Sequence, residues 1–291
     1  MIEIHLITTE PCALGEGPLW DAEHQRLFWV DSYLGKIFCR EATGAIEVWQ
    51  LPCMIGSLAV VDEHQILVAL QTGLHRFNLR TQALQLIHDP EPGLAETRLN
   101  DGKTDRVGQF LFASMAISDR SKGWGALYRL RHNGNVERLL KDVIVGNGPC
   151  FSPNGDTLYF SDGRGVMQQF DYHPERPLSK PRPFFNAKAM GTACDGATVD
   201  AAGNIWTALI GSGKIGCISP EGELKLTVDL PIPLPSSVIF GGAHLDALYV
   251  TSISNSGNRK DTHPKSGLVF EITGLGYKGL PEAPFRGEFP L

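Results

Sequence analysis

The chain has 291 residues, 42% of them hydrophobic and 20% charged, with a formal net charge of −6. That length allows one large domain or two average ones, and the composition is that of a folded globular protein. With no basic block anywhere, neither nucleic acid nor an anionic membrane surface is expected as the main partner.

The opening segment, MIEIHLITTE, alternates apolar and polar residues and carries Glu3 and His5. It lacks a positive n-region and a long apolar core, so it reads as a strand and not as a signal peptide. No stretch is apolar enough to cross a bilayer as a helix. Six cysteines, Cys12, Cys39, Cys53, Cys150, Cys194 and Cys217, show no C-x-x-C spacing, which fits reduced, mostly buried thiols in a cytoplasmic protein.

From Gly15 onward one sentence is written repeatedly. GEGPLWDAEHQRLFWVDSYLGKIFCR is followed by GSLAVVDEHQILVALQTGLHRFNL from Gly56 and by NDGKTDRVGQFLFASM from Asn100, with GALYRL after an insertion. GNGPCFSPNGDTLYFSDG follows from Gly146 and DGATVDAAGNIWTALIGSGKIGCIS from Asp195. The last copy is SSVIFGGAHLDALYVTSIS from Ser236, with GLVFEI after a second insertion. The polar residues opening the copies, Glu16, Ser57, Asn100, Asn147, Asp195 and Ser237, lie 41, 43, 47, 48 and 42 positions apart. Such a period, with several strands per unit, points to an all-β, six-bladed β-propeller of four-stranded antiparallel blades, with residues 1–291 as a single domain. Fourth strands are predicted at 46–51, 84–88, 136–140 and 224–230. The sixth copy lacks one, and an open edge is a liability, so residues 2–8 are expected to supply the outer strand of the last blade. A two-sheet sandwich is the alternative, and six regular units argue against it. Phe112, Trp124 and Tyr159 read as blade packing.

In a propeller the first strand of each blade lines the axis, so the six openers are expected to meet at one mouth of the channel. They bring two carboxylates, two amides and two hydroxyls. Clustered oxygens without Cys or His suit a hard or borderline divalent cation: Ca2+, Mg2+, Mn2+ or oxygen-ligated Zn2+. The competing reading is that each residue caps its own turn. Repeated turn chemistry would repeat the residue, whereas here the glycine neighbours repeat and the polar residue changes.

The segments LGEGPLWD (14–21), RLNDGKTDRVGQFLFASM (98–115), GNGPCFSPNGDTLYFSD (146–162) and CDGATVDAAGNIW (194–206) resemble the senescence marker protein/gluconolactonase/luciferin-regenerating family. The resemblance spans essentially the whole chain. It implies a six-bladed propeller with one catalytic divalent metal that hydrolyses lactones, often aldonolactones. Carried over by motif, Glu16, Asn147 and Asp195 match metal ligands, and Arg98 and Asn100 match substrate-holding positions. Where regucalcin-like members carry an acidic residue after the SM or TM motif, this chain has Ser118, followed by Asp119, Arg120 and Lys122. Ser118, Arg120 and Lys122 are therefore candidate substrate contacts. The two cations are either partners for an anionic substituent or solvated loop charges.

The expected reaction opens a sugar-acid lactone with metal-activated water, Asp195 accepting the proton. Arg98 and Asn100 would orient the sugar. His263 either overhangs the mouth or is an exposed loop histidine. Two other functions remain open: a non-enzymatic calcium-binding or regulatory propeller, and a metal-dependent esterase or phosphotriesterase.

Overall fold

The structure, a computed structural model, describes residues 1–119 and 121–289. Six four-stranded antiparallel sheets make up the described residues, with one short 3-10 turn, Ala187–Met190, as their only helical segment. The inner strands are Gly15–Asp21, Ile55–Val60, Thr97–Thr104, Asn147–Phe151, Cys194–Val199 and Pro235–Gly241. Each lies against the next, and the last returns to the first, so the sheets stand around an axis as the blades of a propeller.

Second strands are sandwiched between the two neighbouring blades and lose the alternation of a half-exposed strand. Thus Gln65–Leu70 (QILVAL) and Ala247–Ser252 (ALYVTS) read as nearly continuous apolar runs and are buried along almost their whole length. The core lies between blades. Phe28, Val30 and Ile37 of the first pack on Ile66, Val68 and Phe77 of the second, and Trp206 of the fifth meets Phe240 of the sixth edge-on. Outer strands face solvent, as in Ile46–Gln50, where only Trp49 is buried.

The predicted fourth strands are present as Ile46–Gln50, Leu84–His88, Val136–Val143 and Leu224–Asp229. The last blade closes as expected. Glu3–Leu6 pairs antiparallel with Phe270–Thr273, from Glu3 opposite Thr273 to Leu6 opposite Phe270. All six cysteines are free, five of them buried and Cys53 half-buried. Phe112 and Tyr159 are core residues, but Trp124 is 48% exposed, because it sits in the insertion before Gly125–Leu130 and not within a strand.

The C-terminal segment crosses the end of the propeller where inner strands turn into second strands. Its backbone is bonded to Ala201, Leu245, Val60, Gly108 and His132 in turn, at 2.7–3.0 Å. Phe285 is buried against the third-blade core. Glu282, nearly buried, faces Lys103 at 3.5 Å and Arg106 at 3.7 Å.

Candidate active site

Every inner strand carries one extra residue against its partner near the end opposite that tail. The register steps between Glu16 and Leu19, Ile55 and Ser57, Leu99 and Gly102, Asn147 and Cys150, Cys194 and Ala197, and Pro235 and Ser237. A bulge bends its strand and re-aims the side chains beside it. Glu16 and Asn147 stand at the start of their bulges, and Asn100 and Asp195 lie inside theirs. These four share the wall and floor of one cleft of about 260 Å3, together with Arg98.

Ser57 and Ser237 do not join them, which corrects the six-residue expectation. Both have already resumed ladder pairing, opposite Ala69 and Thr251, and so lie deeper in the bore. The Ser57 hydroxyl donates to the Asn100 carbonyl at 2.8 Å. Ser237 lines a constriction with Asp101 and Lys103 where the open space is only about 10 Å3, no more than one water. The cleft is therefore a blind well.

Glycine is required directly after Glu16 and Asn147. Gly148 has φ +55°, and a Cβ there would stand 2.7 Å from the Asp195 carbonyl oxygen. Gly17 has φ +53° in the matching motif of the first blade. Both explain why the polar residue in GEGP and GNGP is followed by a residue without a side chain.

The polar groups on the floor are held by one another. Asn100 Nδ2 donates to the Gly146 carbonyl at 2.9 Å and to Asn147 Oδ1 at 2.9 Å. Arg98, buried, donates through Nη1 to the Leu99 carbonyl at 2.9 Å. Burial, followed by the negative charges of Asp195 and Asp101, holds the Glu16 carboxyl well above its usual range; the Gly17 N–H and the Arg98 charge only partly oppose this. Asp101 is a residue that the sequence reading passed over. It is buried, accepts from the Gly148 N–H at 2.7 Å and the Gly102 N–H at 2.8 Å, and its carboxyl is raised by burial. The RLND motif carried it, but a buried Asp satisfied by backbone has no signature beyond the letter itself.

Around this floor the walls are apolar, with Leu14, Met115, Ile144, Val145, Ile210 and Ile253. Ser256, Asn258 and Arg259 complete the rim from the insertion in the sixth blade. Ser118 and Lys122 do not line the cleft. Ser118 is exposed and donates to Glu96 Oε2 at 2.6 Å, and Lys122 faces Asp119 at 3.9 Å. Arg120 lies outside the described residues. His263 is exposed, accepts from the Lys265 N–H at 3.2 Å, and also stands away from the cleft.

Residues 14–254 match the family model described as SMP-30/Gluconolactonase/LRE-like region. The chain is 32% identical to an L-arabinolactonase of Azospirillum brasilense over 94% of its own length and 92% of the relative's. It is 29% identical to a 6-deoxy-6-sulfogluconolactonase of Pseudomonas putida, covering 97% of this chain and 98% of the relative. Among solved structures, a calcium-binding protein, regucalcin, from Agrobacterium tumefaciens superposes with a TM-score of 0.90 at 28% identity, over 97% of this chain and 96% of that one. In fold, in motif order and over nearly its full length, the chain belongs to the SMP-30/gluconolactonase/LRE-like family.

Proposed function

We propose that the chain hydrolyses a sugar-acid (aldono) lactone to the open aldonic acid, with one divalent cation held by Glu16, Asn147 and Asp195. The observation that carries this reading is the convergence of those three residues with Arg98 and Asn100 in one blind cleft. Relatives named as lactonases support a sugar lactone as substrate. The donor set fits a cation. It is all oxygen, and the crowding of Glu16 by the charges of Asp195 and Asp101 is the conflict that a doubly positive ion relieves. The calcium-binding relative favours Ca2+, and Zn2+ suits the same oxygens.

When bound, such an ion supplies Lewis acidity toward the lactone carbonyl and acidifies water. The chain's own groups do the rest. Asp195, placed inside a bulge, takes the proton of the attacking water. Arg98 and Asn100 bind the sugar and fix its carbonyl over the floor. The apolar walls keep bulk water out, so charges on the floor act at lower dielectric.

A pH-stat assay of acid release from glucono-1,5-lactone and an arabinonolactone, with and without EDTA, tests the reading. Wild type is expected to turn over and to stop on chelation. Asp195→Ala should lower kcat at least about 100-fold with an unchanged circular dichroism spectrum. Near-normal turnover by that variant misplaces the site. Tight calcium binding with no turnover of any lactone replaces the hydrolase with a regulatory propeller.

A further inference from the structure

We infer that Arg259 makes the rim of this cleft an anion subsite, so that the lactone it admits carries a negatively charged group (carboxylate, sulfonate or phosphate) on the carbon exocyclic to its ring. The position of the ring rests on the lactonase reading; the anion does not.

Arg259 is presented by a built turn. The Ser256 N–H donates to the Arg259 carbonyl at 2.9 Å, and the Asp261 N–H to the Ser254 carbonyl at 2.9 Å. Asn255 and Lys260 bridge the two arms. The base is stapled to the segment before the first blade: the Asn255 N–H donates to the Ala13 carbonyl at 2.9 Å and the Ser254 hydroxyl to the Cys12 carbonyl at 2.7 Å. From this base the Arg259 guanidinium reaches across to the fifth-blade turn, with Nη1 3.7 Å from where a Cβ on Gly211 would stand.

The charge there is uncompensated. Among the described residues the Arg259 side chain has no hydrogen bond or ion pair, and the one carboxylate of its loop, Asp261, is engaged by the Ser266 hydroxyl. Arg98, the other cation lining the cleft, is buried and sits beside Glu16 on the floor. Glu16, Asp195 and a divalent ion nearly cancel, which leaves Arg259 as the net charge at the entrance. Ile210 and Ile253 line the same cleft. Arg259 is exposed at the rim of the cleft, and its planar fork of donors recognises carboxylate, sulfonate or phosphate oxygens in a way that a neutral hydroxymethyl group cannot reproduce. Lys122, the cation that the sequence pattern offered for this role, is paired with Asp119 and stands off the cleft.

The test uses hydrolysis-resistant ring amides, so that it is separate from turnover. Calcium-loaded protein is titrated calorimetrically with glucono-1,5-lactam and with its 6-carboxylate counterpart, glucaro-1,5-lactam. Wild type is expected to prefer the anionic ring by about ten-fold. Arg259→Gln should bring the ratio of the two constants to about one, Arg259→Lys should retain part of it, and Lys122→Gln should leave it intact. No preference in wild type, or a preference that survives Arg259→Gln or disappears with Lys122→Gln, overturns the inference. If the ratio behaves as expected but no lactone is hydrolysed, the anion subsite stands and the lactonase reading falls.

Discussion

Asn100 spends its amide hydrogens on the Gly146 carbonyl and on Asn147 Oδ1, and so holds the neighbouring amide in one orientation. The residue that the family pattern places on substrate therefore also positions a candidate metal ligand. Second-layer contacts of this kind commonly change metal affinity by about 10–100-fold. Asn100→Ala is expected to weaken calcium binding within that range, and a titration that finds affinity unchanged would remove the positioning role. At this scale the sequence was legible where a motif repeats with a changed letter, as in GEGP, GNGP and CDG. It was not legible for Ser57 and Ser237. Spacing along the chain counts residues, while the bulge decides which of them stands at the rim and which lies one step down the bore.

Strands and turns were far easier to read than insertions. Each blade shows aromatic and β-branched runs separated by Asp, Asn and Gly turns, and these signals are local. The rim comes from segments with no period, 254–261 and 144–145, and nothing in a repeat analysis assigns Arg259 to the mouth. Blade-to-blade bolts are similarly hidden. Arg129 on the third strand of the third blade is fully buried and faces Glu137 across the ladder. Its guanidinium also donates to the Tyr172 hydroxyl at 3.3 Å and the His173 carbonyl at 2.9 Å in the next blade. Burial alone would raise the Glu137 carboxyl, but hydrogen bonds from Arg131 and Arg129, and their charges, hold it below its usual 4.5. A carboxyl lowered by folding stabilises fully above its unfolded value and loses that contribution as pH falls through the folded value. Glu137→Gln should therefore cost about 1–2 kcal/mol near pH 7, the carboxylate being partly exposed. Thermal unfolding of the two proteins should converge as pH falls below 4.5 and through the lowered value of Glu137, and a gap that persists in acid would assign the loss to packing instead.

The ring as a whole is closed by residues nearly the full chain length apart. Glu3–Leu6 covers the edge of Phe270–Thr273, and the Val269 N–H donates to the Thr8 hydroxyl at 3.0 Å. Removing residues 1–6 should lower the melting temperature by roughly 5 °C and promote association through the bared edge. An unchanged melting temperature in a monomeric variant would show that the fourth strand is dispensable. This closure was readable in advance because a missing strand at one end of the chain matched a spare one at the other. The C-terminal strap was not, since its anchors are backbone groups, the Glu282 carboxylate and two phenylalanines, none of which belongs to the repeat.

That strap, with the constriction beneath the bulges, gives the axial well a single doorway. A lactone and the acid made from it must then use the same passage in opposite directions, one at a time. In the proposed orientation the open-chain acid would gain its carboxylate at the carbon nearest the floor, beside Arg98, and a charge at its far end would meet Arg259 on the way out. Slow departure of the acid is the expected consequence of such a vestibule. Added product should compete directly with incoming lactone.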